Sequence, residues 1–258
     1  MSIARQIGDS DSANACLGGL AGAYRVLGKI TFAEQYAEEA LQLAQTIGDV
    51  YGVMSWLNEL GSLQAMSGQD DQALLSFQQA LALAKGPAGS VWHQETILKS
   101  LGNFHLRRGE VSEARSCYEE ALPLAEKIED RVGQCALLDG LATACEAMGE
   151  VPRAITLYRR ALEMAQLFSD PGREASLLNN LEAACMRLGD LDEALRNQQA
   201  ALALFTNMED VRSVSMTLGA LRNTYAARGE SEQALSCYRR AITLAQQSGD
   251  QRSEAVSS

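Results

Sequence analysis

Apolar residues recur along this chain three or four positions apart, in short runs that each stop at a glycine. In one such run Leu138, Leu141, Cys145 and Met148 stand at i, i+3, i+7 and i+10, and Gly149 follows. That spacing is one face of a helix. A glycine, free to take positive φ, is a natural end for it. Glu150, Val151 and Pro152 open a second helix, because proline is tolerated in a first turn. Ala154, Ile155, Tyr158, Ala161, Leu162 and Ala165 give that helix its own apolar face, which closes at Phe168-Ser169-Asp170. The pattern predicts a helical hairpin whose two helices have roughly 14 residues each and so measure about 21 Å.

The hairpin is written six times. Gly28, Gly68, Gly109, Gly149, Gly189 and Gly229 are spaced by 40, 41, 40, 40 and 40 residues. An alanine stands five positions after each (Ala33 to Ala234) and a leucine eight positions before each (Leu20 to Leu221). A fixed period of this length predicts an array of units stacked in a line, each burying its apolar face against its neighbours. The repeats span approximately 11–49, 50–89, 90–130, 131–170, 171–210 and 211–250, a single array over 1–258. The spacing of 41 falls where Lys85-Gly86-Pro87-Ala88-Gly89 makes a longer loop. Alanines at the helix contacts let backbones approach, and Phe77, Tyr118, Tyr158 and Tyr238 are expected to fill the gaps between them. Ile3–Asp9 matches Leu43–Asp49, and Gln251–Ser258 reads like the opening of a further repeat. The chain therefore reads as a piece of a longer array, with partial repeats at both ends and no polar capping helix.

In the third repeat Leu101-Gly102-Asn103-Phe104-His105, Gly109, Ala114, Tyr118 and Ala121-Leu122 stand in order. This resembles the tetratricopeptide repeat in its forty-residue form, and the resemblance covers residues 3–255. Leu101-Gly102-Asn103 is similar to the Leu-Gly-Asn of LGN/Pins spindle-orientation adaptors, and Asn179-Asn180-Leu181 to the Asn-Asn-Leu of kinesin light chains. The resemblance implies an all-α, right-handed superhelical solenoid whose concave groove, lined by the first helix of each hairpin, binds a peptide or partner protein. Carried over by position, the groove residues are Asn58, Lys99, Asn103, Arg107, Asn179, Arg187 and Asn223. Lys99, Asn103 and Arg107 fall at i, i+4 and i+8, one stripe on one helix face. Asparagine offers a donor and an acceptor to an extended backbone. Lysine and arginine select carboxylates, so the partner is expected to carry an acidic segment. A chaperone-tail clamp would need further basic residues near Ser176 and Asn180, and neither is basic. LGN-type arrays carry arginines where this chain has Ala15, Ser55, Thr96, Ala136, Ser176 and Met216.

Composition narrows the picture further. With Asp+Glu at 33 against Lys+Arg at 22, the net charge is −11. Phosphate backbones and anionic lipid surfaces repel such a chain, so no nucleic-acid or membrane partner is expected. The six cysteines form no close pair and there are two histidines, so no metal, cofactor or disulfide is expected. Cys145 and Cys185 share one repeat position with Tyr24, His105 and Tyr225, which marks a packing slot. Buried free thiols in a reducing cytoplasm are the expectation. His93 and His105 have no patterned Ser or Cys partner and no phosphate-binding glycine loop is present, so the chain is not expected to be an enzyme. The leading reading is an interaction scaffold or adaptor that captures a partner segment in the groove. The second is a regulatory or peptide-sensing domain of a larger signalling protein. Self-association through uncapped ends is a third expectation, because those ends expose apolar stacking faces.

Overall fold

The computed structural model describes residues 10–257, and those residues form twelve α-helices with no strand among them. In chain order these are α1 Ser10–Val26, α2 Ile30–Ile47, α3 Val50–Met66, α4 Asp70–Lys85, α5 Val91–Arg107, α6 Val111–Lys127, α7 Arg131–Ala147, α8 Val151–Leu167, α9 Pro171–Leu188, α10 Leu191–Asn207, α11 Val211–Ala227 and α12 Ser231–Ser257. The match of Ile3–Asp9 to a second helix lies outside the described residues. Helices α1 to α11 have 16 to 18 residues, longer than the roughly 14 expected from the apolar spacing. α12 runs 27 residues, through the Gly249-Asp250 pair at which the pattern places the end of the sixth repeat.

Each hairpin turns at its glycine. Gly28, Gly68, Gly109, Gly149, Gly189 and Gly229 all have φ between 70° and 82°. The turn between successive repeats has the same geometry, and here sequence and conformation part. Gly48 takes φ 72° there, but Glu129, Ser169 and Glu209 take φ of 56°, 55° and 57°. The following amides return to the preceding helix, Asp130 N–H to the Ala125 carbonyl at 3.0 Å and Asp210 N–H to the Phe205 carbonyl at 3.0 Å. This is the Schellman closure, made by residues with a Cβ. The aspartate that follows caps the next helix. Asp49, Asp130, Asp170 and Asp210 accept from the amides of Gly52, Gly133, Arg173 and Ser213 at 2.9 to 3.1 Å. Those contacts satisfy donors that a helix start leaves open. The Arg173 amide holds Asp170 below the usual carboxylate range, and the Ser213 hydroxyl, then its amide, do the same for Asp210. The longer loop, residues 86–90, follows α4 as expected.

Two compact units make up the chain, Met1–Gly140 and Leu141–Ser258. In the first, Met54, Phe77, Ile97, Leu101 and Phe104 belong to one buried cluster with Ala73, Ala80 and Ala84. In the second, Leu178, Ala201, Val214, Leu218 and Leu221 form another. Ala33, Ala73, Ala114, Ala154 and Ala194 are all fully buried, as the period demands.

The gap between helices is filled by a matched pair seven residues before and nine after the turn glycine. Gly61 faces Phe77, and a Cβ on Gly61 would lie 2.8 Å from that ring. Gly102 faces Tyr118, where a Cβ would lie 2.5 Å from Cε1. In the fifth repeat the pair is polar: buried Gln198 donates to Glu182 Oε1 at 2.7 Å. Burial pushes the Glu182 carboxyl up. In the sixth it is Arg222 and Tyr238, with the guanidinium 6.0 Å from the ring centroid. Tyr238 is 51% exposed, against 0–1% for Phe77, Tyr118 and Tyr158, so it does not fill a gap as expected. Met148 likewise lies exposed, one turn beyond the buried stretch of α7.

Candidate functional site

The sequence places its strongest stripe on α5, and the structure shows what each member is doing there. Lys99 Nζ lies 2.9 Å from Glu95 Oε1 one turn earlier, and the Glu95 side chain is 0% exposed. A buried carboxylate needs a partner, so Lys99 is committed to the fold. Glu95 also accepts from Thr96 Oγ1 at 3.1 Å. Asn103 is exposed, but its Oδ1 accepts from Tyr118 O–H at 2.7 Å. Arg107, at the end of the helix, is exposed and has no ion pair among the described residues. It lines a recess of about 360 Å³ with Ala65, Asp70, Phe104 and Arg108. Arg108 is spent within this recess. It reaches Asp70 Oδ2 at 2.6 Å and Glu110 Oε1 at 2.8 Å, with its guanidinium 5.5 Å from the Phe104 ring centroid. Glu110 also takes His105 Nδ1 at 2.7 Å. These contacts, the His105 bond first, hold the Glu110 carboxyl below its usual range. The net result is one unmatched positive charge, on Arg107.

α3 lies against α5. Asn58 of α3 is half-buried, and its Oδ1 is shut away from water with no hydrogen-bond partner among the described residues. An orphaned amide oxygen of this kind costs about 1–3 kcal/mol unless something donates to it. Nearby on the same pair of helices is a contact that periodicity does not signal. Ser55 Oγ lies 3.3 Å from His93 Nε2, and the His93 ring stacks on Tyr51 at 5.4 Å and meets Trp92 edge-on at 4.8 Å. No sequence pattern links this serine to the histidine, because folding brings together residues 38 apart. Among the described residues His93 Nδ1 is buried without a side-chain hydrogen-bond partner, and no carboxylate orients the ring. Loss of water also lowers the His93 pKa.

In the C-terminal unit, Asn179 is exposed on α9. Arg187, also on α9, has its Nε 3.3 Å from Glu146 Oε1 of α7, so its charge is answered. Glu146 also accepts from Tyr158 O–H at 3.1 Å. Asn223 is exposed on α11 and accepts from Arg222 at 3.0 Å. The predicted residues thus all lie on the first helices of their repeats, and among the described residues Arg107 alone of the predicted basic residues keeps its charge unmatched.

The cysteines are free thiols. Cys135, Cys145, Cys185 and Cys237 are buried, but Cys117 is only half-buried and Cys16 is exposed, against the expectation of uniform burial. Burial pushes the Cys117 and Cys185 thiols up to about 11, away from thiolate chemistry. Among the described residues no cluster of three His, Cys, Asp or Glu side chains is placed to hold a metal ion. No helix among them is long and apolar enough to cross a membrane.

Stacked helical hairpins, with small residues at the crossings of the first four repeats and polar residues on the first helices, define a helical-repeat interaction protein. The tetratricopeptide-repeat model matches residues 4–86, 93–166 and 173–247, and the chain belongs to that family. The fold is similar to the crystal structure of BtubC (BKLC) from P. vanneervenii, with TM-score 0.76 and 25% identity, covering 85% of this chain and 91% of that one. It is similar also to the nearly identical TPR-like repeats of a kinesin light chain-like protein of Podosopora anserina, with TM-score 0.65 and 18% identity over 74% of this chain and 94% of that one. A third similar structure is the STAND protein with a tetratricopeptide repeat sensor from Pyrococcus horikoshii, with TM-score 0.74 and 17% identity over 92% of this chain and 38% of that one. No curated protein sequence matches the chain significantly.

Proposed function

We propose that this chain is a protein-interaction scaffold whose N-terminal unit takes an acidic segment of a partner protein along α3 and α5, with Arg107 as the anchor. The observation that carries the reading is the unmatched Arg107 guanidinium in its recess. An arginine fork binds a carboxylate through two parallel bonds. A segment running from there toward Asn58 would bring a backbone N–H to the orphaned Oδ1. Asn103 keeps its side-chain NH₂ for a peptide carbonyl while its oxygen holds Tyr118. Lys99 supports the site by neutralising Glu95. Asn179, Arg187 and Asn223 extend the polar faces of the C-terminal repeats. Catalysis has no part in this reading, and the chain acts by holding a partner.

The test is an array of acidic and neutral peptides probed with the wild-type chain and with Arg107→Glu. Acidic peptides should bind the wild type and lose at least tenfold in affinity to the variant. Equal binding by both proteins would refute the anchor. A second reading is a sensing module of a larger signalling protein. It is favoured by the likeness to the STAND protein, whose tetratricopeptide repeats are its sensor and of which the matched stretch is 38%.

A further inference from the structure

The repeat supplies its own standard for how a hairpin is covered. Five, nine and twelve residues after the turn glycine, the second helix faces the next repeat. In repeats one to five these positions, such as Ala73, Phe77 and Ala80, are at most 2% exposed. In repeat six Ala234 and Ala241 are only half-buried and Tyr238 is 51% exposed. Leu235 and Ile242 beside them are 54% and 42% exposed. The groove between α11 and α12 holds an open recess of about 570 Å³ lined by Arg222, Ala226, Ser231, Ala234, Leu235 and Tyr238. Among the described residues nothing stacks there.

The first helix of the array has the reciprocal face open. Five residues before the turn glycine, Leu63, Phe104, Ala144, Ala184 and Thr224 are at most 1% exposed, but Ala23 of α1 is exposed. Twelve before, Ile97, Leu137 and Leu177 are likewise buried, but Cys16 is exposed. Between these two on α1 sits Gly19, with no atom within 4 Å of where its Cβ would be.

A built interface shows how these two faces fit. Tyr118 lies between Gly102 of its own repeat and Gly140 of the next, whose Cβ would fall 2.6 Å from the ring Cζ. Gly140 stands nine residues before its turn glycine, and glycine recurs at that position only as Gly19. Tyr238 is the equivalent of Tyr118, with Arg222 on one side of its ring and its other side open. Tyr238 is therefore a ring without its glycine, and Gly19 a glycine without its ring.

We infer that α12 of one copy stacks on α1 of a second copy, head to tail, with Tyr238 seated on the partner's Gly19 as Tyr118 is seated on Gly140. The contact continues the repeat stack across two chains. It is heterologous, so every open assembly keeps one uncovered α1 face and one uncovered α12 face unless a ring closes. This association does not involve Arg107 and stands apart from the peptide reading above.

Sedimentation velocity over a range of concentrations tests it, with Tyr238→Glu and Gly19→Trp as variants at opposite ends. Both positions are exposed, so helicity by circular dichroism should match the wild type. The wild type should associate increasingly with concentration. Each variant alone should lose that association. An equimolar mixture of the two should form a dimer that grows no further, because only one good head and one good tail remain. A wild type that stays monomeric, a variant that still associates, or a mixture that fails to pair would each overturn the proposal.

Discussion

A methyl group added at Gly102 has nowhere to go. Its Cβ would lie 2.5, 2.8 and 2.8 Å from Cε1, Cδ1 and Cζ of Tyr118, where ordinary contact begins near 3.4 Å. The ring is fully buried and cannot retreat, since Gly140 backs it on the far side and its hydroxyl is tied to Asn103 at 2.7 Å. Overpacking of this kind costs about 1–3 kcal/mol, and Ala regains about 1 kcal/mol over Gly from helix propensity. Gly102→Ala should therefore be neutral to destabilising by about 2 kcal/mol. The same change at Gly22 or Gly219, with no atom within 4 Å, should stabilise by about 0.5–1 kcal/mol. The assay is urea denaturation followed by circular dichroism at 222 nm. It should include Tyr118→Ala and the double variant, because a cycle isolates the coupling. In the Tyr118→Ala background Gly102→Ala should become stabilising. If Gly102→Ala raised stability in the wild-type chain as much as Gly22→Ala does, the close approach of ring and backbone would be refuted.

Other outcomes follow from the same geometry. Replacing Glu129, Ser169 or Glu209 by Gly relieves a left-handed conformation that costs about 1–2 kcal/mol, against a lost unfolded-state constraint of about 0.4–1 kcal/mol. Each should raise the urea midpoint, and an unchanged or lowered midpoint would show these turns to be unstrained. Glu182 has a carboxyl pushed above its ordinary value by burial, so its ionisation opposes folding. Its contribution to stability is fullest below the ordinary glutamate pKa and is lost as pH rises through the folded value. Glu182→Gln, which keeps an acceptor for Gln198, should therefore raise the melting temperature at pH 7 and have little effect near pH 4; an equal shift at both would rule out ionisation as the cause. Asp130→Ala removes the cap on α7 and should cost about 1 kcal/mol, read as faster amide exchange in the first turn of that helix.

Much of the architecture is legible in the chain. The turn glycines, the buried alanines at Ala33 to Ala194 and the slot holding Cys145 and Cys185 all follow from a period of 40. A further signal was available in the sequence. In repeats two to five the residues seven before and nine after the turn glycine pair as Gly61–Phe77, Gly102–Tyr118, Ala142–Tyr158 and Glu182–Gln198, small with large or polar with polar. The first repeat pairs Ala21 with Ala37 and the sixth Arg222 with Tyr238.

The candidate site was legible only in outline. Position along a helix follows from spacing, and Lys99, Asn103 and Arg107 all lie within α5, one turn apart. Their availability does not follow, because it depends on what stands opposite. Lys99 is consumed by Glu95, Asn103 shares itself with Tyr118, and Arg187 meets Glu146 from a helix one repeat away. Tyr238 has the same sequence setting as Tyr118, yet lies exposed because no next repeat covers it among the described residues. By itself the sequence determined the helices, their turns and the face each turns to its neighbours, since these arise from local periodicity and backbone preference. Only the tertiary structure decided which polar groups are spent on the fold and which are left for a partner, since hydrogen bonds and ion pairs are set by neighbours brought close from tens of residues away.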